Sequence, residues 1–437
     1  MICINFFEKV RNKGFWLLDK TKGCPIKKHY DEIQLLAKNT DKIRDFQSKK
    51  LHQLIHHAIN TTEFYKKFKN VNFYDFPIIQ KSTLKKYHDS FVSKIYEEKN
   101  LISVTTSGSY GTPMEFYQTK NKKQRQVAEI IYFNSWAGFE VGMKHAFIGV
   151  RGKNKLTSKI QNKIYLAPHT LNESILQKYR NILKRNNIKC IIGYPSTMKS
   201  IAEYCLKHKD SPNDFNIKSI ITTSEPLMDR ELIETVFGCK IYNRYSTYEL
   251  GVIAKECGNQ SDYFHLNKMS YIIEVLKLDK DEPCIPGEKG RVVVTDLYSH
   301  AMPLIRYDTG DIVKLPKTEE KCSCDIGLKT IKNVEGRVID IIRNTNGDKV
   351  TPFLINSITR DINTIQQFQF IQKGTTKYVI NLIIQDSFDY EDKERFMNRL
   401  RNLLGKDADI EVNYVSEIPL LPSGKRKYII NELIHWC

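Results

Sequence analysis

The sequence lacks an apolar run long enough to cross a membrane. A spanning helix needs about 18 or more consecutive apolar residues, and no segment of the 437 residues reaches that length. The N-terminal stretch from Met1 to Lys22 also lacks the order of basic start, apolar run and small-residue cleavage site that marks a secretory signal. Internal repeats and low-complexity tracts are missing as well. We therefore expect an ordinary globular protein of the cytoplasm.

Cysteine is too thinly spread to form a disulfide framework. Ten cysteines are scattered over the chain, with one close pair at Cys322 and Cys324, which favours reduced thiols, some of them able to hold metal. The net charge of +18 could attract nucleic acid, anionic lipid or a nucleotide. Because the lysines are spread along the whole chain and no basic helix with interleaved aromatics stands out, we do not expect nucleic-acid binding.

The first segment combines apolar and basic residues. Phe6, Phe7, Val10, Trp16 and Leu17 stand among lysines and arginines. Such a stripe could make weak contact with a membrane surface, although it more often faces a core.

The apolar patterning predicts an α/β protein with two domains, since 437 residues exceed what one compact core holds. Residues 1–100 form a helical, Lys-rich preamble, and strand-like runs then alternate with helix-like stretches to about Val252, as in a largely parallel sheet with covering helices. We predict a large N-terminal domain at 1–335 with mixed or parallel sheets and covering helices. A small mobile α+β domain follows at 336–437, with a hinge near Glu335 to Arg337.

The segment from Thr105 to Pro113 is rich in hydroxyls and glycines and directly follows a strand-like run. Glycines let the backbone approach an anion, and successive N–H and hydroxyl donors can surround phosphate oxygens. The Gly-x-x-x-x-Gly-Lys-Ser/Thr spacing of kinases and GTPases is absent. Alone, such a loop is often a plain turn.

The loop resembles the Thr-Ser-Gly-Ser-x-Gly-x-Pro signature of the adenylate-forming superfamily, which includes acyl-CoA synthetases. Further segments resemble its adenine-side loop, its Tyr-Gly-x-Thr/Ser-Glu and Arg-Tyr-x-Thr-Gly-Asp motifs, its hinge and its C-terminal lysine loop, in that order: Thr223 to Leu227, Tyr245 to Glu249, Arg306 to Asp311, Glu335 to Arg337 and Leu421 to Lys425. The residues within these motifs are most similar to those of the phenylacetate-CoA ligase group and its CapK-like relatives in capsule biosynthesis. The resemblance extends from about Leu101 to the C-terminus.

The resemblance implies a role for each matching position. ATP would be bound by the phosphate loop, the adenine-side loop and two further positions: Thr106, Ser107, Gly108, Ser109, Gly111, Thr112, Ser224, Glu225, Pro226, Tyr245 and Asp311. Tyr245 would stack on adenine, and Asp311 would take the ribose hydroxyls. The catalytic set implied is Glu249 for Mg²⁺, Arg337 for ribose or phosphate, and Lys425 between the acid and the α-phosphate.

Three positions depart from the family pattern. Ser246 replaces a glycine, Tyr248 replaces a small hydroxyl residue, and Ile339 stands two residues after the hinge arginine, where many relatives have Asp or Lys. The first two changes put the usual contact near the α-phosphate in doubt. The third puts the usual hinge geometry, and with it the second half-reaction, in doubt.

Four residues have the composition of a structural zinc site. Cys257, His265, Cys322 and Cys324 supply three thiolates and an imidazole, with Cys284 as a reserve ligand. Their spacing is unusual for a zinc finger, so free thiols and a surface histidine remain the alternative.

The sequence offers two candidates for the acyl pocket, Trp136 and Tyr194. Residues of these types more often have core or turn roles. The leading hypothesis is an AMP-forming ligase that uses ATP and Mg²⁺ to activate a carboxylic acid and then transfers it to CoA. An amine acceptor in polysaccharide biosynthesis is the alternative. A nucleotidyltransferase is less favoured because it does not explain Lys425 in its Pro-Ser-Gly-Lys setting, and a non-catalytic nucleotide-binding protein does not explain the retained Glu249, Asp311 and Arg337.

Overall fold

The computed structural model describes residues 5–105, 114–149, 155–168, 171–337, 341–350, 354–355, 358–359, 361–362, 364–419 and 427–433. The predicted phosphate-loop residues 106–112, Ile339 and Lys425 lie outside this part of the chain. The contacts divide into two compact units, Met1–Thr309 with Lys314–Asn333 and Gly310–Val313 with Val334–Cys437. The domain boundary after Glu335 stays a prediction.

The first unit begins with helices. In chain order, its helices are α1 (Phe6–Thr21), α2 (Pro25–Lys38), α3 (Ile43–Thr61), α4 (Lys81–Lys86), α5 (His88–Phe91), α6 (Lys120–Ser135), α7 (Lys155–Ile160), α8 (Glu173–Arg185), α9 (Pro195–Lys207) and α10 (Arg230–Phe237). Short 3₁₀ turns join them at Thr40–Lys42, Tyr65–Phe68, Phe73–Asp75, Glu98–Asn100 and Pro212–Asp214.

The strands that follow or interrupt these helices are β1 (Ile102–Thr105), β2 (Glu115–Gln118), β3 (His145–Ile148), β4 (Lys163–Leu166), β5 (Cys190–Gly193), β6 (Ser219–Thr223), β7 (Ile241–Thr247), β8 (Gly251–Glu256), β9 (Tyr263–Leu266), β10 (Tyr271–Leu276), β11 (Lys289–Asp296), β12 (Tyr307–Lys314) and β13 (Thr330–Arg337). β1 and β2 form an antiparallel pair. The others form an eleven-stranded sheet in the order β10-β11-β12-β13-β9-β8-β7-β6-β5-β3-β4.

The large sheet is mixed. β4, β3, β5, β6 and β7 pair in parallel, whereas β7, β8, β9 and β13 pair antiparallel. The alternation of strand and helix between β3 and β7 is what a parallel sheet requires, because each crossover needs a covering helix. The predicted α/β class, with a mixed sheet and covering helices, is confirmed.

One face of the parallel strands packs against α8, α9 and α10. Apolar residues recur on α8 three or four positions apart, at Ile175, Tyr179, Ile182 and Leu183, so they share one side of the helix. They meet strand residues such as Ile191 in a common apolar core. The core fixes the parallel strands and leaves their carboxyl ends for ligand binding.

The N-terminal helix α1 begins with a capping box in which the Asn5 side chain accepts from the Glu8 N–H and Glu8 accepts from the Asn5 N–H. Glu8 is also buried against Lys189. On the outer side, α1 leaves Phe6, Phe7 and Leu17 exposed, at 74, 70 and 62%, whereas the Trp16 ring packs against Tyr30. No helix in the described ranges combines the length and the apolar character that crossing a membrane demands.

The second unit contains a four-stranded sheet in the order β18-β17-β16-β19. Its elements are β14 (Ile342–Arg343), β15 (Lys349–Val350), β16 (Ile365–Gln372), β17 (Lys377–Ile384), α11 (Tyr390–Leu404), β18 (Asp409–Tyr414) and β19 (Ile429–Asn431). α11 buries Phe396, Met397, Leu400 and Leu404 in the apolar core of this unit. The spacing of these four residues matches one helical face.

A buried ion cluster joins α8 to the segment after α9 and gives a test of this packing. Arg180 and Lys184 lie one turn apart on α8 and reach Asp210 Oδ1 at 2.6 and 2.8 Å. Burial of Asp210 opposes its ionisation, but the two cations outweigh burial and lower the pKa of its carboxyl to about 2. Because the unfolded-state pKa is about 3.9, the stabilisation is complete above that pH and is lost as pH falls through the folded-state value.

We therefore expect Asp210→Asn to lower the free energy of unfolding by about 2 to 3 kcal/mol at pH 7, and by about half as much at pH 3. Urea denaturation at the two pH values measures the difference. Asp386→Asn, on an exposed loop, is the matched control. A destabilisation of the same size at both pH values would contradict the ion cluster.

Candidate functional site

The predicted site residues fall into three groups by position. Ser224, Glu225, Pro226, Tyr245 and Glu249 belong to the first unit and Asp311 to the second. Arg337 ends β13, and its side chain is outside the described part, as are the phosphate loop and Lys425. The geometry of the site is therefore built from the first unit.

The strands that flank the phosphate loop are paired. Thr105 of β1 lies opposite Glu115 of β2, so the loop between them starts and ends at neighbouring backbone positions. At the end of β2, Gln118 Nε2 donates to the carbonyl oxygen of Glu249 at 2.8 Å. This hydrogen bond fixes the strand pair to the turn that carries Glu249.

The turn between β7 and β8 is closely determined. Thr247 Oγ1 accepts from the Leu250 N–H at 3.2 Å, and Gln126 Nε2 of α6 donates to the Leu250 carbonyl at 3.0 Å. Gly251 has a φ of +111°, and a Cβ there would lie 2.8 Å from Glu129 Oε2. Only glycine suits this backbone and this close contact. The direction of Glu249 is thus set by the fold.

The Glu249 side chain is a buried carboxylate with a neutral partner. It is 9% exposed, and Tyr307 donates its hydroxyl to Oε1 at 3.3 Å. No Lys or Arg in the described ranges lies within ion-pair distance of it. Burying a carboxylate without a cation is unfavourable, and Mg²⁺ prefers oxygen ligands of this kind. The environment of Glu249 therefore fits a bound cation.

Tyr245 and the adenine-side loop meet at the carboxyl ends of β6 and β7. The Tyr245 hydroxyl lies 3.3 Å from Thr309 Oγ1, and Ser246 Oγ lies 3.0 Å from Thr223 Oγ1. Ser224 has a φ of +74°, a strained conformation for a serine that is found mainly at functional turns. Glu225 Oε2 accepts from the Ser196 N–H at 3.2 Å, at the start of α9.

Arg306, the first residue of the Arg306 to Asp311 motif, has a structural role. Its guanidinium forms two bonds with the Glu274 carboxylate, at 3.0 and 3.2 Å, and donates to the carbonyls of Tyr74 and Phe76. These bonds hold the residue just before β12. They also fix the neighbouring Tyr307, which contacts Glu249.

The two acyl-pocket candidates lie in different places. Tyr194 is buried at the start of α9, where burial and the nearby Tyr248, Glu225 and Tyr165 raise the pKa of its hydroxyl. The Trp136 ring lies 4.8 Å from Phe133 and 5.7 Å from His265. Tyr194 thus borders the adenine-side loop, while Trp136 borders the Cys/His residues. A role of either residue in an acyl pocket stays a prediction.

The four predicted metal ligands, Cys257, His265, Cys322 and Cys324, converge in the first unit with their ligand atoms within 4.8 Å of one another. Cys257 Sγ lies 3.5 Å from Cys322 Sγ, and Cys324 Sγ lies 3.3 Å from His265 Nε2. Tetrahedral zinc with Zn–S bonds of about 2.3 Å places its sulfurs about 3.8 Å apart. The reserve ligand Cys284 lies outside this group, and its thiol contacts the Lys289 carbonyl.

The surroundings of this Cys/His cluster also suit a cation. His265 Nδ1 lies 3.3 Å from the Leu328 carbonyl, so Nε2 is the ring nitrogen that faces Cys324. Burial opposes ionisation of Cys257, but hydrogen bonds from His265 and the Asn259 backbone lower the pKa of its thiol to about 6. Burial raises the pKa of Cys324 to about 12, so a bound cation would be needed to ionise the full set.

Sequence reasoning missed the residues that support the Glu249 turn. Gln118 and Gln126 carry no motif, and their hydrogen bonds span more than a hundred residues. Tyr307 and Thr309 lie inside the Arg306 to Asp311 motif, so their positions could have been singled out. Their contacts, with Glu249 and Tyr245, follow only from the pairing of distant strands.

Comparisons with known proteins agree with this arrangement. Residues 342–432 match the family model of the CapK C-terminal domain. Protein CapK of Staphylococcus aureus is 25% identical to this chain, with 99% of this chain and 98% of CapK covered. A phenylacetate-coenzyme A ligase of Thermus thermophilus is 22% identical, with 90% and 95% covered. The solved structure of 2-hydroxyisobutyryl-CoA ligase in its postadenylation state, in complex with 2-HIB-AMP, matches with a TM-score of 0.71 and 15% identity over 90% of each chain.

The relationship to CapK and to the ligase of Thermus extends over nearly the whole chain, and the structural match shows a common fold. The resemblance carried by the five ordered motifs is therefore confirmed. The chain is a homologue of CapK and of the phenylacetate-CoA ligases.

Proposed function

We propose that the protein is an AMP-forming ligase that activates a carboxylic acid with ATP as an acyl-adenylate and then transfers the acyl group to CoA. The observation that carries this proposal is the convergence of two motifs at the carboxyl ends of β6 and β7, where Thr223 contacts Ser246 and the Glu249 turn follows. Ligands of open α/β sheets bind at such strand ends.

In the first step, a carboxylate oxygen of the acid attacks the α-phosphorus of ATP, and the bond to pyrophosphate breaks. No general base is needed, because the acid is already ionised at neutral pH. Tyr245 and the loop at Ser224 would hold the adenine side, and Glu249 would hold Mg²⁺. When bound, Mg²⁺ supplies positive charge at the phosphates. The buried turn around Glu249 keeps its carboxylate in place before ATP binds.

In the second step, the thiolate of CoA attacks the acyl carbon, and the bond to AMP breaks. We propose that the C-terminal domain, from Gly336 onward, carries Lys425 to the site for the first step and rotates away for the second. Arg337 and Asp311 would contact the ribose.

An amine acceptor is the second candidate for this step. The observation that favours it is the match of residues 342–432 to the CapK C-terminal domain, because the CapK-like group is the one that the sequence analysis associates with capsule biosynthesis. An amine on a sugar or amino acid in polysaccharide biosynthesis would then replace CoA. Comparing CoA with amine acceptors, starting from the acyl-adenylate, separates the two.

We also propose a cytoplasmic location and a weak contact of α1 with a membrane surface. The exposed Phe6 and Phe7 support the contact, and neighbouring basic residues such as Lys9 would favour anionic lipid. Neither is required for the ligase reaction.

The adenylation step is tested by product analysis. With ATP, Mg²⁺ and a panel of acids, we expect AMP and pyrophosphate, and Glu249→Gln should lower kcat/KM by about a hundredfold or more while leaving thermal stability nearly unchanged. Glu319→Gln, at an exposed position, is the matched control. Formation of ADP and phosphate would exclude this mechanism.

The proposed role of Lys425 rests on its charge. Its ammonium would contact the attacking carboxylate and the α-phosphate most strongly as they approach each other. We expect Lys425→Ala to reduce acyl-AMP formation by about 3 to 5 kcal/mol in activation free energy, with ATP affinity and transfer from supplied acyl-AMP retained. Lys406→Ala, at an exposed position of the same unit, should behave as wild type. An unchanged adenylation rate in Lys425→Ala would refute both the role and the two-domain cycle.

We further propose that the Cys/His cluster holds a structural Zn²⁺. Protein prepared without chelators should contain about one zinc per chain by elemental analysis, and Cys322→Ser should lower both the zinc content and the melting temperature. Cys284→Ser, which leaves the four ligands intact, should change neither. Zinc-free protein of wild-type stability would show that the four residues are free thiols and an imidazole.

A further inference from the structure

The parallel strands have a second face, opposite the core formed with α8, α9 and α10. On this face a smaller apolar cluster that includes Ile221 and Tyr242 lies beside polar side chains. The pairing registers place Tyr242 beside Ile221 and Arg244 beside Thr223, and they place Arg244 opposite Lys255. Since neighbouring strand residues in register point to the same side, Thr223, Arg244 and Lys255 share this face. This face therefore contains two basic side chains, Arg244 on β7 and Lys255 on the paired strand β8.

The position of Lys255 is explained by the fold. Lys255 is fully buried, and its ammonium donates to the Phe133 carbonyl at 2.8 Å, in the last turn of α6. It also lies 5.4 Å from the centre of the Tyr242 ring. A cation at the carboxyl end of a helix is favourable. Lys255 thus caps α6, while burial and the nearby Arg244 lower the pKa of its ammonium.

Arg244 has no comparable explanation. Within the described part of the chain, Arg244 Nη1 makes a long hydrogen bond of 3.4 Å to Asn134 Oδ1, and its buried Nε has no acceptor there. Burial lowers the pKa of Arg244 to about 10. A guanidinium that gives up water without gaining acceptors is unfavourable, so a ligand that supplies acceptors would be bound strongly.

The chain offers no acid for this purpose within its described part. Neither Arg244 nor Lys255 has a carboxylate within ion-pair distance there, and the groups around Arg244 are an amide, a thiol and an ammonium: Asn134, Cys190 and Lys255. The positive charge of this face is therefore left for a ligand.

Arg244 is also close to the proposed adenylation site. It directly precedes Tyr245 and shares its sheet face with Thr223, whose Oγ1 contacts Ser246. β6 ends at Thr223, and β7 continues from Arg244 to Thr247, toward the edge of the sheet where the acid would be activated. A group bound to Arg244 would therefore lie close to the proposed position of the acid.

We propose that Arg244 binds a second carboxylate of the substrate, so that the acids activated by this protein are dicarboxylic acids. This inference rests on the proposed ligase function. One carboxylate is adenylated, while the other accepts hydrogen bonds from the guanidinium, including its free Nε. Arg244 is then a specificity-determining residue, because a site built for a charged group discriminates strongly against analogues that lack it.

The test compares each diacid with its own monomethyl ester, which has nearly the same shape but lacks the second charge. Pyrophosphate release is measured with succinate, glutarate, adipate and phthalate and with their monomethyl esters. In wild type we expect kcat/KM to be at least about tenfold higher for one or more diacids. Arg244→Met should reduce this preference to within about threefold, and Arg244→Lys should retain an intermediate preference. Arg185→Met, at an exposed position on α8, should leave it unchanged.

Binding provides a readout that does not depend on turnover. Calorimetric titration of the diacids into wild type and Arg244→Met should show binding that weakens by about tenfold or more in the variant, whether or not any acid releases pyrophosphate. If diacids bind and lose affinity in the variant without pyrophosphate release, the ligase function fails and the anion site stands.

Two results would overturn the proposal. The first is an equal preference of wild type for diacids and monoesters, or for simple monoacids, with pyrophosphate release intact. The second is an Arg244→Met variant that loses thermal stability but keeps the wild-type preference, because Arg244 would then be a packing residue only. Loss of the charge alone is not expected to destabilise the fold, since an apolar side chain of similar length avoids the unfavourable burial.

Discussion

The hydrogen bonds to the backbone carbonyls of Glu249 and Leu250 are the constraint on which the candidate site depends. Gln118 and Gln126 donate to these carbonyls, and Tyr271 donates to the second of them as well. A turn with its carbonyls held from three elements cannot redirect its side chain without breaking buried hydrogen bonds, and each such loss costs about 1 to 3 kcal/mol. The Glu249 carboxylate is therefore preorganised by residues that hydrogen-bond the backbone of its turn rather than its side chain.

The elements that supply these donors are themselves fixed by buried charges. Lys122 on α6 lies 2.7 Å from Asp296 on β11, with both side chains at most 1% exposed, and Arg125 donates to the Met269 carbonyl at 2.7 Å. Removing one partner of such a pair is strongly destabilising, because the other charge stays buried. The Lys122–Asp296 pair fixes α6 to the sheet, so Gln126 stays within hydrogen-bond distance of the Leu250 carbonyl. The apolar core on the opposite face holds the strands, and the charged network orients the helix that supports the site.

The sequence predicted the parts of this arrangement that depend on local pattern. Alternating strand-like and helix-like runs were enough for the α/β class. The Cys257, His265, Cys322 and Cys324 set was singled out by its ligand composition and by its resemblance to Cys/His positions of the phenylacetate-CoA ligase group, although its members are far apart in sequence. The supports of Glu249 were not predictable, because Gln118 and Gln126 are ordinary polar residues until the strand order brings them to the turn. Arg244 was missed for a similar reason. Next to a recognised tyrosine it looks like one more basic residue in a basic protein, and only the pairing with Thr223 and Lys255 shows that it is enclosed and without an acid.

Glu249 and Arg244 together show what the fold leaves to its ligands. They carry opposite charges five residues apart, yet neither is recorded as the partner of the other or of any other charged group in the described part of the chain. Arg244 lies on one face of β7, and Glu249 lies in the turn after β7. The alternation of side chains along the strand and the hydrogen bonds that hold the turn keep the two residues apart. A protein selected only for stability would pair or replace such residues, because each unpaired buried charge is unfavourable. Ligands that supply a cation to one and an anion to the other would stabilise the folded state in proportion to their binding. In the reaction proposed above, the same separation of charges would give the substrate a defined direction, with its reacting end toward Glu249 and its second charge toward Arg244.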